Sequence, residues 1–195
     1  MSSVQVIFPG MAIGLESSPS QRAAAFNTVS FSGQWFDGNN DCNFYTDAAC
    51  VGYAARIILA KMNLLVQHHS TPNFVIHTGG GGTEDFAIVP TALSMMLLQS
   101  YQQSIHVFAD WPADQNASFG NLLACGDFLV SSAIRSGQVR YMAIISQRGG
   151  TLHLANPWPG KVATYSTTTG QAGRLHGQVL TLPTSSGEQI RITPK

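Results

Sequence analysis

Two adjacent carboxylates, Glu84 and Asp85, follow directly on four glycines, Gly79 to Gly82, and no other two acids in the chain are neighbours. Glycine lets a backbone bend sharply or approach a ligand closely. Thr83 can cap a helix start, and acids in a first turn are favoured by the helix dipole. Carboxyl groups in such a loop can do general acid–base work on a glycosidic bond. Inverting hydrolysis needs two of them roughly 6.5–9.5 Å apart on opposite sides of the sugar. Consecutive side chains on a helical turn do not face one another, so Glu84 or Asp85 can be one half of a pair and the partner must come from elsewhere. Asp37, Asp41 and Asp47 offer no compelling candidate. A tight connection followed by an ordinary capped helix explains the same residues equally well.

Other chemistries find less support. The glycine run lacks the Lys-Ser/Thr that a phosphate-cradling loop requires, and acids stand where that loop needs a cation. The histidines at 68, 69, 77, 106, 153 and 176 show no zinc-type spacing beyond the adjacent pair, so scattered core or surface roles outweigh metal binding. No GxSxG nucleophile elbow occurs, and nothing calls for a cofactor. Trp35 and Phe36 beside Asp37 can form a sugar-stacking platform, although aromatics in a loop more often pin it to the core. Cys42, Cys50 and Cys125 read as buried thiols before they read as a disulfide. Asn116-Ala117-Ser118 is a glycosylation triplet of a kind that often arises by chance.

The composition is neutral. Lys plus Arg equals Asp plus Glu, and charged residues make up only 10% of the 195 residues, well under half the usual share of ~25%. That balance points away from nucleic acid and anionic membranes and suits neutral partners such as sugars. No apolar run approaches the ~18 residues of a membrane span, and the start, MSSVQVIFPG, lacks a signal-peptide pattern.

The elements that must hold these residues read as helices first and strands second. Ser17 to Ser20 offer N-cap residues, with Pro19 at a permitted first-turn position, for a helix over about 20–29. A long helical pattern follows over 44–68, with Val51, Ala55, Ile58, Leu59 and Met62 as its apolar stripe and Gly52 inside it. Pro90 must sit near the start of the next helix, which leaves 84–89 as a separate turn before a helix to about Tyr101. Beyond Gln103, short alternating runs split by glycine turns predict strands at 105–109, 128–134, 139–145, 151–155, 161–165, 178–182 and 189–193. The segments 111–121 and 167–173 read as turn-rich link and loop.

Several blocks together resemble the carboxyl-terminal part of glycoside hydrolase family 95: MLLQS (Met96 to Ser100), SIHVFADWP (Ser104 to Pro112), SFGNLLACGDFLVS (Ser118 to Ser131) and NPWPG (Asn156 to Gly160). IFPGMAIGL (Ile7 to Leu15) is similar to the family's YPGNQI-type segment, so the resemblance covers nearly everything from residue 5 to about 165. The family comprises inverting α-L-fucosidases with some α-L-galactosidases. One of its catalytic carboxylates lies in a motif written H-P-P-F-Q-I-D-G-N-F-G. Here His69, Phe74 and Ile76 match its first part and His77 stands at the aspartate, whereas counting back from MLLQS puts Glu84 there. Glu84 is preferred because a carboxylate keeps the role of activating water.

The resemblance implies an α+β chain made of the terminal helices of an (α/α)6 barrel, residues 1–103, followed by an antiparallel β-sandwich, residues 104–195. It implies the C-terminal part of an inverting glycoside hydrolase, with Glu84 catalytic and Asp85, His77, His69 and Trp35 contacting an oligosaccharide substrate. The general acid would lie in an N-terminal part of the same polypeptide, so the chain alone should be inactive. A secreted or periplasmic parent protein fits this reading, with no nucleic-acid or membrane partner. A non-catalytic carbohydrate-binding or scaffold module is the alternative.

Overall fold

A computed structural model describes residues 4–36, 41–73, 75–76 and 83–195, with backbone alone at 41, 42, 83 and 84. The chain divides into a helix-rich unit, residues 1–97 with 109–111, and a strand-rich unit, residues 98–108 with 112–195.

In the helix-rich unit, α1 (Pro19–Ser32) begins on a capping box. The Ser18 side chain accepts from the Gln21 backbone N–H, the Gln21 side chain reaches back to the Ser18 N–H, and Pro19 sits in the first turn. Gly33, at φ 57°, ends the helix in the left-handed conformation that glycine adopts without strain. The single long helix expected over 44–68 is two: α2 (Asp41–Val51) and α3 (Ala55–His69). Gly52 takes φ +73° and breaks the pattern instead of easing close packing within it. A 3-10 turn, Thr83–Phe86, carries Glu84 and Asp85 into α4 (Ile88–Leu97), so the acids stand apart from the helix proper, as Pro90 requires. That helix stops at Leu97, four residues short of the expected Tyr101.

The frame expected for these helices is overturned. Every residue from Phe44 to Cys50 is fully or almost fully buried, and α2 packs against α1, α3 and α4. A helix enclosed all round is the centre of a small cluster, not one wall of a barrel. Ile58, Met62 and Leu65 of α3 and Ile88, Ala92 and Met96 of α4 are buried at helical spacing. Among the described residues the chain is an α+β fold of four α-helices and three modest antiparallel sheets, and no twelve-helix (α/α)6 barrel is built.

The strand-rich unit holds β1 (Leu98–Gln99) paired with β2 (His106–Val107), and a six-stranded sheet. The latter comprises β3 (Ala117–Ala124), β4 (Phe128–Arg135), β5 (Gln138–Ser146), β7 (Ala163–Thr167), β8 (Ala172–Leu175) and β10 (Gln189–Pro194), in the order β3-β4-β5-β10-β7-β8. The third sheet pairs β6 (Gly150–Ala155) with β9 (Val179–Thr184). The strands thus form one broad sheet and two ribbons, and the sandwich expected for this half gives way to that arrangement. Strands β3 and β8 begin inside the segments expected to be irregular, 111–121 and 167–173, and run past them. The β6 strand pairs with β9 and not with its sequence neighbour β5, whose partners are β4 and β10. Val130, Met142, Ile144, Ile190 and Ile192 on the large sheet are at most 2% exposed, as are Leu152, Leu154 and Leu180 on the ribbon. Ser146 Oγ and Thr184 Oγ1, 2.8 Å apart, tie β5 to β9.

Candidate functional site

The expected site residues fall in three different settings. Glu84 has its backbone on the 3-10 turn, and its side chain lies outside the described residues, as does the whole of His77. Asp85 is fully buried and engaged in interactions of its own. Trp35 is 8% exposed and its indole meets Phe44 edge-on at 4.8 Å and Tyr45 at 5.3 Å. The Tyr45 hydroxyl donates to the Trp35 carbonyl at 2.7 Å. Trp35 therefore anchors its loop to the core. Its neighbour Phe36 is the exposed aromatic: the ring is 44% accessible, stacks on His69 at 6.1 Å, and has the Lys61 ammonium 5.6 Å from its centroid. His69 and Phe36 meet at the end of α3, while Asp37 lies outside the described residues.

Two other acids have their pKa raised. Asp47 on α2 is 1% exposed; its Oδ1 accepts from the Phe8 N–H at 2.9 Å and its Oδ2 is enclosed without a hydrogen-bond partner. Burial pushes this carboxyl up to about 8, partly offset by the Phe8 hydrogen bond. The Asp47 carboxyl fastens the 4–13 segment to the central helix.

Asp110 lies in the SIHVFADWP block and belongs to the helix-rich unit, where its backbone N–H donates to the Met96 carbonyl of α4 at 3.1 Å. It is only partly buried, yet its Oδ2 is enclosed without a partner, and desolvation pushes it up to about 7. A carboxyl that is partly open and half-protonated near neutrality can give a proton to a leaving group or take one from water. Asp47 can do neither without an opening, because it is closed to solvent.

Sequence reasoning passed over Asp110 because an isolated aspartate before Trp-Pro has no distinguishing spacing. The only signal within reach was its membership of a block that carried the resemblance. No group of three or more His, Cys, Asp or Glu side chains among the described residues is placed to hold a metal ion. Cys50 is buried and Cys125 exposed, and neither forms a disulfide. No helix among the described residues is long and apolar enough to cross a membrane. Compared with protein-family models and with curated proteins, the chain matches none.

Proposed function

We propose that the chain is the C-terminal part of a polypeptide that hydrolyses α-L-fucosyl or related glycosidic bonds with inversion, and that it supplies carboxyl groups to that reaction without completing the site. The observation that supports this most is Asp110, a partly open carboxyl held up to about 7 inside one of the sequence blocks that resemble such enzymes. Glu84 is the proposed water-activating carboxylate, carried on the 3-10 turn that leads into α4; Asp110 meets the other end of that helix, beyond a span of about 12 Å, so the general acid that faces Glu84 still belongs to another part of the polypeptide. Phe36, stacked on His69, offers an aromatic face to a sugar ring. A secreted or periplasmic setting fits the neutral, weakly charged composition. The reading takes the chemistry of the resemblance and leaves its barrel aside.

The test uses the 195-residue chain itself. Mixed with an aryl α-L-fucoside it should show no release above background, because the missing general acid costs about 10²–10⁴-fold and the rest of the sugar site is missing with it. Titrated with L-fucose, it should show saturable NMR shifts at the backbone amides of 84–86 and 110. Rapid turnover would contradict the division of the site between this chain and another part. A complete lack of response to fucose at high millimolar concentration would overturn the saccharide reading.

A further inference from the structure

The outer face of the six-stranded sheet carries a groove of about 380 Å³ that the proposed hydrolysis does not use, within the ~300–1,000 Å³ span of small-ligand sites. The strand register builds it. Ser131 on β4 lies opposite Ala143 on β5, Ala143 opposite Arg191 on β10, and Arg191 opposite Ser166 on β7, one row across four strands. The next row sets Ile145 opposite Gln189. Because side chains alternate along a strand, these rows point away from the buried row of Val130, Met142, Ile144 and Ile190. The floor is small and apolar, Ala143 and Ile145, both half-buried, and the walls are hydroxyl and amide groups.

One charge stands among them. The Arg191 guanidinium lies 4.5 Å from the centroid of the Tyr141 ring, which holds it over the sheet. No carboxylate lines the groove, and Arg191 makes no ion pair among the described residues. The nearest acid in sequence, Glu188, is buried and occupied. It accepts from Thr169 Oγ1 at 2.6 Å and from the Ser185 N–H at 2.9 Å, which hold its pKa below the usual range. An arginine immobilised by stacking loses less freedom on binding, and its planar fork matches a carboxylate through two parallel hydrogen bonds.

We propose that this groove is a binding site for an acidic sugar unit, a uronate whose carboxylate pairs with Arg191. The sugar's apolar ring face lies on Ala143 and Ile145, and its hydroxyls reach Ser166 and Gln189, while the Ser131 hydroxyl is held by the Asn121 N–H and side-chain oxygen. A pyranose chair with one C–H-lined apolar face, several hydroxyls and one negative charge uses each of these features, whereas a simple anion would use only the arginine. The site belongs wholly to the strand-rich unit and stands whether or not the helix-rich unit takes part in hydrolysis.

Amide NMR titration of the full chain with galacturonate, galactose and acetate tests this. Galacturonate should bind saturably and shift the amides of Ala143, Ser166 and Arg191, with galactose and acetate each at least tenfold weaker. Arg191→Gln should weaken galacturonate at least tenfold, and Gln189→Leu, which leaves the Tyr141 stack untouched, should weaken it by a smaller factor. Equal binding of galactose would show that the charge is not read, and equal binding of acetate would show an anion site with no sugar recognition. Either result, or no binding of galacturonate, overturns the assignment.

Discussion

Asp47→Asn is expected to make the protein more stable than the parent at pH 8 and above, and no more stable, or less so, at about pH 4. The Asp47 carboxyl has its folded pKa raised to about 8 from the ordinary 3.8, so the folded state binds the proton more tightly than the unfolded chain does. The stability this contributes is fully present below about pH 4, falls as pH rises between the two values, and is gone above about pH 8. Four pKa units correspond to on the order of 5 kcal/mol. Asparagine keeps an oxygen for the Phe8 N–H and never ionises, so its stability lacks this slope. Its amide N–H groups meet the same enclosed space in which Oδ2 finds no partner, which costs about 1–3 kcal/mol at every pH. Urea unfolding of both proteins at several pH values checks the expectation: the two stability curves should cross. Parallel curves would mean that Asp47 titrates normally.

Trp158→Ala should cost about 3–5 kcal/mol, the usual loss on emptying a buried aromatic site. Trp158 is 5% exposed and its indole Nε1–H donates to the Val139 carbonyl at 2.6 Å, inside the strand-rich unit. The turn that presents it is held by Asn156, whose Nδ2 donates to the Gly177 carbonyl at 2.9 Å and whose Oδ1 accepts from the Trp158 N–H at 3.0 Å. Trp158→Phe keeps most of the packing and leaves the Val139 carbonyl without this donor, so its cost should fall to about 1–3 kcal/mol. Thermal unfolding of the two variants measures the difference. A Trp158→Ala protein that melts with the parent would remove the turn's structural role. The NPWPG block thus has a folding reason for its residues, separate from any role at a sugar.

The local signals were legible where one stretch of chain determines its own conformation. The serines at 17, 18 and 20 with Pro19 announce α1, and the strands β4, β5, β9 and β10 follow from alternation that one buried face imposes. Alternation failed at β3, where the register shifts between Phe119 and Leu122 and Asn121 adopts φ 55°, so the apolar and polar residues fall out of step. The β8 strand is a four-residue edge strand, Ala-Gly-Arg-Leu, too short and too poor in β-branched or aromatic residues to stand out from a loop. Gly52 fits a continuous apolar stripe as well as a break, and only packing around α2 decides between them. The pairing of β6 with β9 is non-local and beyond the reach of any window.

The candidate site was legible to a lesser degree. Glu84 and Asp85 stand out in sequence because they are adjacent and follow glycines, and the 3-10 turn beneath them was foreshadowed by Pro90. Asp47 and Asp110 acquire their properties from desolvation by residues distant in sequence, which no spacing records. Trp35 shows the converse case, since an aromatic in a polar loop is compatible with either a platform or an anchor. Its contacts with Phe44 and Tyr45 make it an anchor and leave Phe36 as the exposed ring.

Carbon-detected NMR of the side-chain carboxyls, followed across pH with and without a fucose-configured iminosugar, tests the proposed role of the helix-rich unit most directly. Asp110 should titrate with a midpoint of about 7, and the cationic iminosugar should draw that midpoint downward by favouring the carboxylate. A midpoint near the ordinary aspartate value of ~4, unmoved by the iminosugar, would contradict it.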